Sequence, residues 1–63
     1  MKLSTSNKRM FLKCAEELNE LSLEIIHAVN KVNKNNHGKI KDEMTDVEKY
    51  LHLLKIFLDK ELQ

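Results

Sequence analysis

The stretch FLKCAEELNELSLEIIHAVNKV, residues 11–32, decides the fold. Phe11, Leu18, Ile25 and Val32 recur seven residues apart, and Cys14, Leu21 and Ala28 fall between them. Apolar residues at alternating three- and four-residue steps form one stripe along an α-helix. Ser6 or Asn7 is the expected cap, because a short polar side chain can accept a bond from an amide left unpaired in the first turn. Alternation at period two is absent, so nothing here reads as a strand.

Outward from this helix, residues 33–39 (NKNNHGK) contain asparagines, the chain's single glycine and nothing apolar to bury. Such a segment reads as a turn. Beyond it, Ile40, Met44, Val47, Tyr50, Leu51, Leu54, Phe57 and Leu58 repeat the helical spacing almost to the end. The expected fold is all-α, a helical hairpin over about residues 6–32 and 40–62, forming a single domain across 1–63. With no proline, neither helix has an obvious kink. Two helices enclose little core. The stripes, together with Leu12, Leu23 and Ile26 outside the narrow seam, lead us to expect self-association, as homodimer or homotetramer, into a four-helix bundle.

Composition removes several function classes. Eleven Lys and Arg against ten Asp and Glu give a net charge of +1, far from the basic excess of a general nucleic-acid binder. Nucleic acid is therefore not the expected partner, although residues 31–41 are free of acids. The amino-terminal residues lack the apolar core of a signal peptide, and no run approaches the ~20 apolar residues that span a bilayer. The lone Cys14 has no partner for an internal disulfide, and no Cys/His finger spacing occurs. A cytoplasmic protein without membrane association is the expectation.

The chemistry resides in two acidic clusters, Glu16-Glu17-x-x-Glu20 on the first helix and Glu43-x-x-Asp46 on the second. Carboxylates three or four residues apart on a helix converge, and hard divalent cations take oxygen ligands. At about 100° per residue, Glu17 projects beside the Cys14/Leu21/Ala28 edge, with Glu16 and Glu20 further toward the polar side. Glu43 falls within the arc of Val47, Tyr50 and Leu54, and Asp46 lies on its edge. Ionised carboxylates in a helical core cost several kcal/mol each unless a cation or hydrogen bonds compensate, by rough estimate. Glu43 and Asp46 also suit the early turns of a helix, where negative charge meets the macrodipole. The first cluster also suits a solvated face, with Lys13 four residues before Glu17.

No glycine-rich phosphate loop exists, so any phosphate contact would come from metal and single basic side chains. Candidates are Lys49 or Lys55 on the second helix and the acid-free stretch 31–41 with Lys34, Lys39 and His37, where a solvated turn is the plainer reading; Tyr50 could reach the site through its hydroxyl or simply pack in the core. His27 adjoins the apolar face and reads as a packing residue.

The ordered pair E-E-x-x-E and E-x-x-D, with the flanks KCAEELNEL at 13–21 and DEMTDVEKYL at 42–51, resembles the signature of MazG-like all-α nucleoside triphosphate pyrophosphohydrolases. It resembles in particular the short members from bacteriophage and prophage genomes, for which the location would be the host cytoplasm. The resemblance covers about residues 10–58. It implies an enzyme in which Glu17, Glu20, Glu43 and Asp46 ligate Mg²⁺, with Mn²⁺ a possible substitute, and Glu16 and Glu17 are catalytic, Glu16 as a further ligand or as an aid to activating water. The implied reaction cleaves a nucleotide between the α- and β-phosphates to a monophosphate and pyrophosphate. A function of another class is a non-catalytic helical module that dimerises and modulates a protein partner, its acids serving as surface charge.

Overall fold

A computed structural model describes residues 2–30 and 36–62, and within them the chain is two α-helices, α1 (Thr5–Asn30) and α2 (His37–Glu61). The helices run antiparallel. Glu24 of α1 meets Asn36 and Lys39 at one end, Glu17 meets Glu43 and Asp46 in the middle, and the Phe11 and Phe57 rings stack edge to face at the other end, 5.7 Å between centroids. No strand occurs among the described residues. The all-α hairpin expected from the apolar periods is the observed architecture.

Its boundaries differ from the expected ones. Ser4 rather than Ser6 or Asn7 caps α1: its hydroxyl accepts the Asn7 N–H at 3.1 Å and its carbonyl the Lys8 N–H at 2.9 Å. Four polar residues in a row offer equivalent caps, and the one chosen extends the helix furthest. α2 starts at His37, three residues before the expected start, so Gly38 lies in its first turn and not in the turn between helices. Gly38 does not have positive φ, and nothing but helical geometry is asked of it. The expected extension of α1 through Val32, and the turn residues 33–35, lie outside the described residues.

The seam between the helices also departs from the expected stripe. Cys14, Leu21 and Ala28 of α1 pack toward Ile40, Val47 and Leu54 of α2, and Cys14 and Val47 are the enclosed apolar side chains, 2% and 5% exposed. Leu18 and Ile25, read from sequence as part of that stripe, are instead 43% and 48% exposed. Their places in the seam are taken by Glu17 and Glu24, seven residues apart and both buried. Asn36 is buried with them, so among the described residues the enclosed polar side chains outnumber the enclosed apolar ones.

At about 100° per residue, the displaced apolar residues share one flank. Phe11, Leu18 and Ile25 turn to one side of α1. Because α2 runs the other way, Met44, Leu51 and Leu58 turn to the same side. The opposite flank carries Glu20, Glu24, His27, Lys39 and Glu43, which line an open cleft. The hairpin thus has an apolar flank, a thin seam with acids in it, and a polar cleft. It measures 48 × 16 × 15 Å, with a radius of gyration of 14.6 Å where a compact chain of this length would have about 10.6 Å.

Candidate metal centre

Helical spacing from both arms builds the centre. Glu17 sits one turn beyond Cys14 on the seam of α1, and Glu43 sits one turn before Val47 on the seam of α2, with Asp46 a further turn along. One carboxylate oxygen from each of Glu17, Glu43 and Asp46 can be chosen so that all lie within 4.8 Å of one another. Oxygens around a Mg²⁺ at its usual 2.0–2.1 Å stand about 3 Å apart when adjacent and about 4.2 Å when opposite. The cluster is therefore close to the spacing a hard cation requires.

Burial grades across the cluster. Glu17 is 5% exposed, Glu43 is half-buried and Asp46 is exposed, so the site is closed at its seam side and open at Asp46. Glu17 Oε1 accepts from Lys13 Nζ at 3.3 Å, but Glu17 Oε2 is buried without a hydrogen-bond partner, and so is Glu43 Oε2. Two buried, unpaired carboxylate oxygens on facing helices are costly for a fold with so little core. An all-oxygen donor set with orphaned atoms turned inward fits a hard divalent cation, and nothing in it suits a soft metal.

The electrostatics agree. Burial pushes the Glu43 carboxyl above its ordinary pKa, a hydrogen bond shared with Glu20 raises it further, and repulsion from Glu20, Glu17 and Asp46 adds to both. The charge of a cation bound among these carboxylates would offset that repulsion. Lys13 is held above its usual value, chiefly by its hydrogen bond to Glu17.

The remaining sequence candidates are placed as follows. Glu20 is not within the three-carboxylate cluster but adjoins it through Glu43 and lines the cleft. Glu16 points away, with its side chain 64% exposed and its carboxylate 4.0 Å from Lys13 Nζ. Lys49 is exposed and lies over the Tyr50 ring, 5.3 Å from the centroid. Tyr50 is half-buried in the seam, and Lys39 stands at the turn end of the cleft.

Sequence reasoning missed Glu24 and Asn36. Glu24 is 7% exposed; its Oε2 accepts from Asn36 Nδ2 at 3.1 Å and its Oε1 pairs with Lys39 Nζ at 3.2 Å. The same Asn36 amide donates to the Glu24 backbone carbonyl at 2.9 Å. Asn36 precedes α2 but makes no side-chain cap to it, having turned across to α1. A signal for Glu24 exists in the chain: it repeats Glu17 after seven residues, on the same face. No comparable signal marks Asn36.

Comparison of the chain with protein-family models, with curated proteins and with solved structures finds no match. The case for a function rests on the residues and their arrangement. No helix of the described residues is long and apolar enough to cross a membrane.

Proposed function

We propose that the protein is a divalent-cation-dependent nucleotide pyrophosphohydrolase that works as a symmetric oligomer. The observation that carries this reading is the orphaned, buried Glu17 Oε2 within a cross-helix cluster shared with Glu43 and Asp46. That arrangement costs a structural hairpin stability, and a bound cation would offset the cost. Glu17, Glu43 and Asp46 would hold the ion, which is Mg²⁺ by donor type with Mn²⁺ as a substitute. When bound, such an ion neutralises charge on the phosphate oxygens.

The protein's own carboxylates then divide the remaining work. Water adds across the α,β-phosphoanhydride, giving a monophosphate and pyrophosphate, and its proton needs an acceptor at the cleft. Glu20 lines the cleft beside Glu43 and is better placed for that than Glu16, which faces solvent. The resemblance of the two acidic motifs to MazG-like enzymes supports the cation-dependent reaction but implies Glu20 as a ligand and Glu16 as the aid to activating water; the exposure of Glu16 is the reason to give that role to Glu20.

Self-association is part of the proposal. A compact chain of 7.4 kDa exposes about 4,200 Å², whereas this hairpin exposes 5188 Å². The excess, about 1,000 Å², is comparable to the roughly 800 Å² that each partner buries in a stable interface. The row Phe11, Leu18, Ile25, Met44, Leu51 and Leu58 supplies an apolar flank for a second copy, giving four helices with the acid clefts facing outward from the shared core. The same flank favours one other reading, a helical module that docks on a different protein. Pyrophosphate release across a nucleotide panel, with Mg²⁺ and with Mn²⁺, tests the enzyme. Release that is lost in Glu43→Ala and Asp46→Ala while both remain folded supports it, and release unaffected by either substitution removes the proposed centre.

A further inference from the structure

The cleft extends beyond the three-carboxylate cluster, toward the turn. It encloses about 320 Å³ and is lined by Glu20, Leu23, Glu24, His27, Lys39 and Glu43. Along α2 the cleft runs from Glu43 to Lys39, and Glu24 of α1 stands beside Lys39 at that end. Lys39 lies four residues before Glu43 on α2, about 6 Å along the helix axis, and seven before Asp46, about 10 Å. That interval matches the reach of a short polyphosphate chain anchored at the carboxylates. His27 stands on the facing helix, its Nδ1 3.8 Å from Glu24 Oε1, too long for a hydrogen bond, and buried without a partner.

Lys39 is an exposed side chain held in one place. Its ammonium is paired with Glu24, and Glu24 is fixed in turn by two bonds involving Asn36, one to its carboxylate and one to its backbone carbonyl. A long, flexible lysine ordinarily loses much rotamer freedom on taking a ligand. Here part of that loss has been met by the fold. The arrangement commits a buried carboxylate, and an asparagine that could otherwise have capped α2, to one ammonium group, which a plain surface ion pair does not require.

We infer that the turn end of this cleft is a phosphate subsite, in which Lys39 binds the non-bridging oxygens of a polyphosphate whose other end lies at the carboxylate cluster, and Glu24, anchored by Asn36, is the positioning residue for Lys39. This rests on the cation-dependent reading above and extends it with a recognition element for the phosphate chain. His27 lines the same cleft, its Nδ1 buried beside the Glu24 carboxylate. Glu24 does not touch the substrate. Its role is to keep the Lys39 ammonium over the cleft until phosphate oxygens compete for it.

The test uses the full chain and two probes, Mn²⁺ alone and inorganic tripolyphosphate with Mg²⁺, each titrated calorimetrically. Lys39→Met should leave Mn²⁺ affinity unchanged and weaken tripolyphosphate by about ten- to a hundredfold, the range for a charge-assisted hydrogen bond. Lys39→Arg should recover most of the loss, and Glu24→Gln should show a smaller loss with Mn²⁺ affinity again retained. If Lys39 is only a structural tie, Lys39→Met lowers the melting temperature and tripolyphosphate affinity stays at the wild-type value; that result overturns the inference and leaves the metal reading intact. If the wild-type chain binds no Mn²⁺, the metal reading falls and the subsite falls with it.

Discussion

Replacing Glu17 by leucine should make the metal-free protein more stable and make it blind to divalent cations. Glu17 is 5% exposed, has one oxygen paired with Lys13 and one unpaired, and sits between Cys14 and Leu21 on the seam. Substituting a buried ionic group with an apolar side chain of similar size is stabilising by about 1–4 kcal/mol where desolvation has outweighed pairing. Lys13, left behind, has a side chain that is 47% exposed and returns to water at little cost. For a domain of this size each kcal/mol moves the melting temperature by about 4–8 °C, so Glu17→Leu should melt at least about 4 °C above wild type in chelator. With Mg²⁺ or Mn²⁺ at a hundred times the dissociation constant, wild type should gain about 2.7 kcal/mol and the variant none. Thermal denaturation at one fixed protein concentration, with chelator and with each ion, measures both effects. A variant that melts lower than wild type in chelator, or that keeps the wild-type response to the ions, would refute the view that Glu17 is held in the seam for a cation.

Three further outcomes follow from the same geometry. Gly38→Ala should raise stability by about 0.4–1 kcal/mol in chemical denaturation, because Gly38 lies within α2, is not at positive φ, and a Cβ there meets nothing within 4 Å. Leu18→Glu together with Leu51→Lys should reduce the mass seen by light scattering to that of one chain, since both lie on the exposed apolar flank; an unchanged oligomer would place the interface elsewhere. Glu24 gives a pH dependence of defined sign. Its carboxyl is held below the ordinary value by the hydrogen bonds from Asn36 and Lys39, so its contribution is complete above the ordinary carboxylate range and is lost as pH falls through that range to the lowered value. Acid titration of the melting temperature in chelator should therefore show a steeper loss for wild type than for Glu24→Gln, and parallel curves would show that the tie contributes nothing.

The hairpin was legible in the sequence because its periods are unambiguous: Cys14, Leu21 and Ala28 mark one seam, and Ile40, Val47 and Leu54 the other. What misled was the richness of the apolar pattern. Leu18 and Ile25 share the heptad spacing of the true seam one step round the helix, and a periodicity does not say which of two adjacent apolar rows meets the intramolecular partner. Glu17 and Glu24 occupy the seam positions that hydrophobic patterning assigns to apolar residues, so a reading by hydropathy passes over them. Glu17 belongs to an acidic cluster visible in the sequence, whereas Glu24 lies outside both clusters. Glycine permits positive φ and so suggests a turn at Gly38, yet the residue is helical. Places where local rules fail cluster at sites whose purpose is not stability. Glu17, Glu24 and Asn36, the buried polar residues of this chain's described part, all lie on or beside the acid cleft.

The most direct test of the central claim is electron paramagnetic resonance of Mn²⁺ titrated into the wild-type chain, alongside Glu43→Gln and Asp46→Asn. The account predicts that wild type depletes the free-ion signal in a saturable manner, that Mg²⁺ competes the bound Mn²⁺ away, and that each variant weakens the depletion while remaining helical. A wild-type chain that leaves the Mn²⁺ signal untouched would contradict it.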